Sequence, residues 1–426
     1  MQPSETRSPV EAVGGLSLAL GLMTTVQGLA TVMMLALATM APIVASALDV
    51  GPEAVGFQIS LIYTSGALIS AQAGTLVNRF GGCTISQAAM VFGALGCLVI
   101  TSGSLLLMAC GSVLIGVSYG LTNPAASQIL NRLTPSHRLG LVFSIKQTGV
   151  PLGGVLAGLA LPGIAILVGW RGALFAVSGI GLLMAVLLLP LRSNWDQNRD
   201  RSVRLSSSLF DGPVLVWRSA PLRALALMGF CYSAIQLSLM SFLVTLLVED
   251  ALWGIVAAGV AASVVQGFGA LARIFWGALA DKLDKGIEIL VVIGLITIVS
   301  SLTILTLSPE WPASLVIIVM TVFGAVAIGW NGVFMAEVVK AAPQGYEGAA
   351  TGGALTYTFA GVVLGPALYA SIHNFFPSYA STFSALAVFP LLGVILLIAL
   401  LRKQAIEVRN KDSSSMTTLN NSQNQR

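Results

Sequence analysis

Charge is what this chain has least of. Only 9% of its 426 residues are Asp, Glu, Lys or Arg, against 56% hydrophobic, and the mean hydropathy is +0.90. A soluble domain carries about 25% charged residues, and surface-to-volume scaling limits the apolar area such a chain can hide. Lipid removes that limit. Histidine is nearly absent, with His137 and His373 alone, so a His-built metal centre is not supplied. Cys83, Cys97, Cys110 and Cys231 lie in apolar stretches without a CxxC or Cys/His cluster and read as small packing residues. No convergent nucleophile, base or metal set exists, so an enzyme is not indicated and no cofactor is expected. The net charge of +4 is no nucleic-acid footprint; its meaning lies in where the charges sit.

What the chain has instead is long apolar runs. No charge occurs between Glu11 and Asp49. That run contains Ala45-Ser46-Ala47, which resembles a signal-peptidase site. It far exceeds a signal-peptide core, however, and reads as a retained spanning helix. Further charge-poor stretches cover about 54–77, 139–162, 164–191, 221–248, 252–280, 288–308 and 312–338, after a first at 17–47. Two longer ones are hairpins: 82–131 breaks near Ser102-Gly103-Ser104, and 348–401 breaks near His373-Asn374 and Pro377-Ser378. The expectation is an all-α membrane protein with twelve crossings.

Orientation follows from Lys and Arg. One set of loops holds Arg79, Arg132, Arg138, Arg192, Arg199, Arg201, Arg204, Arg218, Lys282, Lys285 and Lys340, and Arg402, Lys403, Arg409 and Lys411 follow the last run. The opposite loops hold Asp49, Glu53, Glu249, Asp250 and Glu310, with Arg171 as their only base. The basic side is therefore expected to be cytoplasmic, with both termini on it, in the inner membrane. A polar linker at about 192–218 divides the chain. The expected organisation is a segment 1–16, a six-helix bundle 17–191, the linker, a second bundle 219–403, and a disordered tail 404–426.

The halves repeat. After the second crossing stands Gly74-Thr75-Leu76-Val77-Asn78-Arg79-Phe80-Gly81, and after the eighth Gly277-Ala278-Leu279-Ala280-Asp281-Lys282-Leu283-Asp284. Gly149-Val150-Pro151-Leu152-Gly153-Gly154 is echoed by Gly361-Val362-Val363-Leu364-Gly365-Pro366. With Gly116, Gly120 and Pro124 in the fourth crossing and Gly169-Trp170-Arg171 before the sixth, the whole chain resembles the major facilitator superfamily of transporters.

The resemblance implies two pseudo-symmetric six-helix bundles, a small-molecule substrate, surrounding lipid, a monomer, and alternating access. It implies that the acid of each loop motif meets the positive end of a helix dipole in the other half. Here Asp281-Lys282 keeps that acid and base, whereas Asn78-Arg79 has lost the acid and Gly82-Cys83 replace two bases. The first latch is expected to be weakened, and Asn78→Asp to favour the outward-open state. The resemblance also implies that the fifth crossing packs on the eighth and the eleventh on the second, with Gly153, Gly154, Gly158, Gly361 and Gly365 as smooth seams. Ser112 stands where drug antiporters of the family often carry an arginine. That counts against a drug or metabolite exporter, the alternative reading.

Ionisable side chains inside crossings are functional suspects because lipid makes them costly. Arg273 in Arg273-Ile274-Phe275-Trp276-Gly277 resembles the carboxylate-binding arginine of monocarboxylate and oxalate/formate-type members. A guanidinium offers a fork that matches a carboxylate. Its alternative role is support of the latch at Asp281, about 12 Å along the helix. Lys146, beside Gln147, is a second candidate cation or a snorkelling lysine. Glu337, three residues from Lys340, is the candidate for protonation or one half of a local ion pair. Gln27, Tyr63, Asn123, Tyr232, Gln236, Gln266, Asn331 and Tyr357, with Trp330, complete the candidate polar site. The expected function is transport of a small organic anion such as a carboxylate, with protons as candidate coupling ion.

Overall fold

Apolar runs of about 20 residues or more suit helices, because lipid offers no partner for N–H or C=O and a helix bonds these groups within itself. The computed structural model describes residues 9–49, 53–197, 199–203 and 211–423. Expectations resting on residues 1–8, on Arg204, and on the side chains of Glu11, Glu53, Arg409 and Lys411 fall outside what is described. In chain order the helices are α1 (Pro9–Thr39), α2 (Ala41–Leu48), α3 (Glu53–Phe80), α4 (Gly82–Ile100), α5 (Leu105–Leu133), α6 (Leu139–Gln147), α7 (Gly149–Leu187) and α8 (Arg192–Trp195). The second half has α9 (Asp211–Arg218), α10 (Ala220–Glu249), α11 (Ile255–Leu283), α12 (Gly286–Ile304), α13 (Ala313–Ala327), α14 (Asn331–Ala341), α15 (Glu347–His373), α16 (Tyr379–Leu386) and α17 (Val388–Gln423). No strand occurs among the described residues.

Among the described residues, ten helical stretches are long and apolar enough to cross a membrane. One of them, Ser136–Trp195, runs for 60 residues and turns back at Gly169, whose φ of 77° only glycine adopts without strain. The turn was expected near residue 163. Pro162 and Gly163 instead continue the helix, and the reversal waits for the left-handed glycine. The expected second crossing falls on α3, which is more polar than the ten because of Thr64, Ser65, Ser70 and Gln72. Both expected hairpin breaks occur: α4 and α5 part at Gly103 with φ 76°, and α15 ends at His373 before a Ser378 capping box opens α16.

The tenth crossing is broken, which the apolar run did not reveal: α13 stops at Ala327 and α14 begins at Asn331. Inside the linker, α9 buries Gly212, Pro213 and Val216, and Gly212 lies against carbonyls of Ala71 and Ala349. The last helix continues to Gln423, past residue 404 where polar composition predicts loss of order.

The expected cross-half pairs form, α6 on α11 and α15 on α3. The glycines at those contacts are not the expected seams. Gly153 packs on Gly28 and Thr31 of α1, and Gly361 and Gly365 pack on Phe230, Ser233 and Ala234 of α10, all within one half. Gly158 meets nothing. These residues occupy the helix face turned to their own bundle. Close cross-half approaches are made instead by Gly74, Gly140, Gly277, Gly332 and Gly352.

Candidate functional site

The site is built from the loop motifs inward. The first N–H groups of α6 have no partner within the helix, and its dipole leaves them positive. Asp281, near the end of α11 in the other half, accepts from Gly140 N at 2.8 Å and from Leu141 N at 2.6 Å. The family's acid-to-dipole latch is therefore present in the second motif. Lys282 is exposed. One turn before Asp281, a Cβ on Gly277 would lie 2.1 Å from Ser144 Oγ, and one on Gly332 of α14 the same distance from it. Ser144 is thus a knob from α6 seated between two glycines of the opposite half, and its buried hydroxyl has no hydrogen-bond partner.

The first motif closes differently. Asn78 accepts at its amide oxygen from Gln128 Nε2 (3.3 Å) and at its carbonyl from Asp200 N (2.8 Å), and Arg79 donates to the Val203 carbonyl. Its side-chain partners are uncharged and its backbone holds the linker. The acid at the start of α15 is that helix's own Glu347, which accepts from Asn131 Nδ2 at 3.2 Å across the halves. Sequence reading also missed Asp196. Both of its oxygens accept from the start of α4, from Cys83 N at 2.7 Å and from Thr84 N at 3.0 Å, with Thr84 Oγ1 at 2.6 Å. No spacing rule links a linker acid to a helix more than a hundred residues earlier.

Between the latches and the middle of the bundle lie two buried cations. Lys146 is 1% exposed and donates to Gln27 Oε1 at 2.7 Å and to Asn123 Oδ1; Thr122 Oγ1 also donates to Gln27 Oε1, at 3.1 Å. It is a buried member of a polar cluster, not a snorkelling lysine. Arg273, 3% exposed, donates from Nε to the Ile328 carbonyl (3.0 Å) and from Nη1 to the Gln147 carbonyl of the other half (2.6 Å). Both acceptors come from interrupted helices. Pro151 has no N–H, so the Gln147 carbonyl four residues earlier lacks its helical donor; Ile328 lies in the gap between α13 and α14. Proline four residues after a glutamine was the signal available in the sequence. The two cations repel each other electrostatically, and among the described residues no carboxylate is paired with either.

The second half repeats the glutamine hub without a cation. Gln236 Oε1 accepts from Trp330 Nε1 at 3.0 Å and from Asn331 Nδ2 at 3.1 Å. Tyr63 and Tyr119 stand edge-on with Phe359 within 6.0 Å, and Tyr119 is within electrostatic reach of Arg273. Other expected residues lie elsewhere. Tyr232 commits its hydroxyl to the Leu290 carbonyl (2.9 Å) while its ring abuts Trp330. Tyr357 stacks on Trp217 at 6.2 Å, beside the linker, because its helix face turns that way. Gln266 is exposed. Glu337 forms the local pair with Lys340 at 2.9 Å, away from the central cations. Gln147 contributes its carbonyl, and its buried side-chain Oε1 has no partner.

Known proteins resemble this arrangement over most of its length. The FucP transporter in its outward conformation superposes with a TM-score of 0.71 at 15% identity, over 90% of this chain and 98% of that one. The human organic anion transporter MFSD10 (TETRAN) superposes at 0.69 and 15% identity, over 92% of this chain and all of that one. At such identity they establish the fold alone. The uncharacterized MFS-type transporter Rv2994 of Mycobacterium tuberculosis (strain ATCC 25618 / H37Rv) is 24% identical over 302 residues, 70% of this chain; the match spans 66% of that relative's length. A hexuronate transporter of Bacillus subtilis (strain 168) is 26% identical over 156 residues, 36% of each chain. The Major Facilitator Superfamily family model matches residues 20–366. With the loop motif, the repeated halves and that match, the chain belongs to the Major Facilitator Superfamily, a family of multi-pass membrane transporters.

Proposed function

We propose that this protein moves a small organic anion, a carboxylate, by secondary active alternating access. One observation carries the reading: Lys146 and Arg273, from opposite halves, are buried near each other with neutral oxygens as their hydrogen-bond partners. Burying a charge is costly unless an opposite charge offsets it. Two cations buried together, unpaired by acid, leave that offset to a ligand, and a carboxylate fits the guanidinium fork. The relatives include a hexuronate transporter of Bacillus subtilis, whose name denotes a carboxylate, and a human facilitated glucose transporter, whose name denotes a neutral sugar. The preference for an anion therefore rests on this chain's own cations.

Contacts between the halves run from the middle of the bundle to its basic end. If basic loops face the cytoplasm, the inner side is sealed, both termini are inside, and the substrate enters from outside. The decisive experiment is uptake of labelled carboxylates into proteoliposomes, with and without a pH gradient, for wild type, Arg273→Lys and Arg273→Gln. Loss of uptake in both variants is expected, because lysine lacks the fork. Full carboxylate uptake in both overturns the reading, and a gradient requirement identifies protons as coupling ion.

A further inference from the structure

The basic end carries a second cationic feature that transport does not use. Just after α7, Arg192, Arg199 and Arg201 line a cavity of about 670 Å³ together with Leu189 and Pro190. The acids nearby are already engaged. Asp196 faces the same cavity but spends both oxygens on the N–H groups of α4, and Asp200 accepts from Ser202 N and Oγ, which holds its carboxyl below the ordinary range. Three guanidinium groups against these two engaged acids leave the pocket an excess of donors. Above it, Leu183, Val186, Leu187 and Leu189 are each more than half exposed. They form a stripe that suits acyl chains and runs straight into the arginines.

We propose that this pocket seats the phosphate headgroup of an anionic phospholipid whose acyl chains lie along the exposed face of α7. Guanidinium groups match phosphate oxygens in bidentate geometry. The adjoining apolar stripe favours a lipid over a free phosphate, since a soluble anion gains nothing from it. The repeat supports the assignment: on α17, the last helix of the other half, Ile395 and Ile398 lead to Arg402 and Lys403 around a cavity of about 680 Å³.

Native mass spectrometry of the full-length protein, with phosphatidylglycerol and phosphatidylcholine offered in equal amounts, tests the site. The variant is Arg199→Gln/Arg201→Gln. Both side chains are exposed, and circular dichroism verifies that the helices remain. Wild type is expected to retain phosphatidylglycerol preferentially, and the double variant to lose about tenfold or more of that preference. Equal retention by wild type and variant overturns the proposal. So does displacement of the lipid by millimolar inorganic phosphate, which identifies a soluble-anion site instead.

Discussion

Gln27 and Gln236 each stand in the first crossing of their half, and each amide oxygen accepts two hydrogen bonds. The donors differ: Lys146 and Thr122 in the first half, Trp330 and Asn331 in the second. The latches differ in the opposite sense, with a carboxylate on α6 from the second motif and an uncharged amide in the first. The two halves share a motif but close on different partners, Asp281 on the start of α6 and Asn78 on Gln128 of its own half and on the linker. The first half holds a buried lysine, and the second supplies the guanidinium that crosses to the Gln147 carbonyl.

Six substitutions, in four tests, break or sharpen this contrast. The largest effect is expected from the glycines of the two motifs. A Cβ at Gly74 would lie 2.2 Å from Ala349 Cα, and one at Gly277 would lie 2.1 Å from the Ser144 hydroxyl and 2.6 Å from the Gly140 carbonyl, so backbone stands in the way at both, and the bulkier valine is placed at Gly74. Gly74→Val should lower the population sealed at the basic end by about tenfold or more, an overpacking cost of about 1–3 kcal/mol; Gly277→Ala should lower it less. Labelling of a cysteine placed at that end reads both, and equal effects would show that the two contacts yield alike.

Next comes Asp281→Asn, which makes the second motif resemble the first. It removes the charge from two hydrogen bonds at the start of α6, worth about 1.5–3 kcal/mol. The same labelling should rise about tenfold, and no rise would deny that the carboxylate holds the halves together. Gln27→Leu should destabilise more than Gln236→Leu, because a buried ammonium loses an acceptor where the other variant strands an indole N–H and an amide. The expected cost for Gln27 is about 1–3 kcal/mol. Thermal unfolding of both variants in the same detergent measures it, and the reverse order would sink the asymmetry. Smallest is Asn78→Asp. It should favour the sealed state by about 0.3–1 kcal/mol through the α15 dipole, because Gln128 already occupies the amide oxygen. A shift as large as that of Asp281→Asn would show that the two latches differ only in charge.

Much of this was legible in the sequence, for identifiable reasons. Sparse charge marked the crossings, and a tandem motif marked the two halves. Arg273 and Lys146 stood out because ionisable groups are rare in apolar runs. What stayed hidden depends on helix rotation and on distant partners. Tyr357 and Gln266 share crossings with true cluster members yet turn another way. Asp196 finds its helix across the whole first bundle. The break between α13 and α14 leaves no proline as a mark, and Ser144 between two glycines is visible only once both halves are in place.

Pro151 has a consequence for how such a protein is probed. The group that Arg273 grips across the bundle is a main-chain oxygen, so a side-chain scan would score Gln147 by its amide and pass over the actual acceptor. A change at Pro151, four residues away, returns a competing N–H to that oxygen. Residues ranked by their own deletion would leave the cross-bundle contact unassigned, and a backbone-directed probe such as ester substitution at the 147–148 linkage would find it.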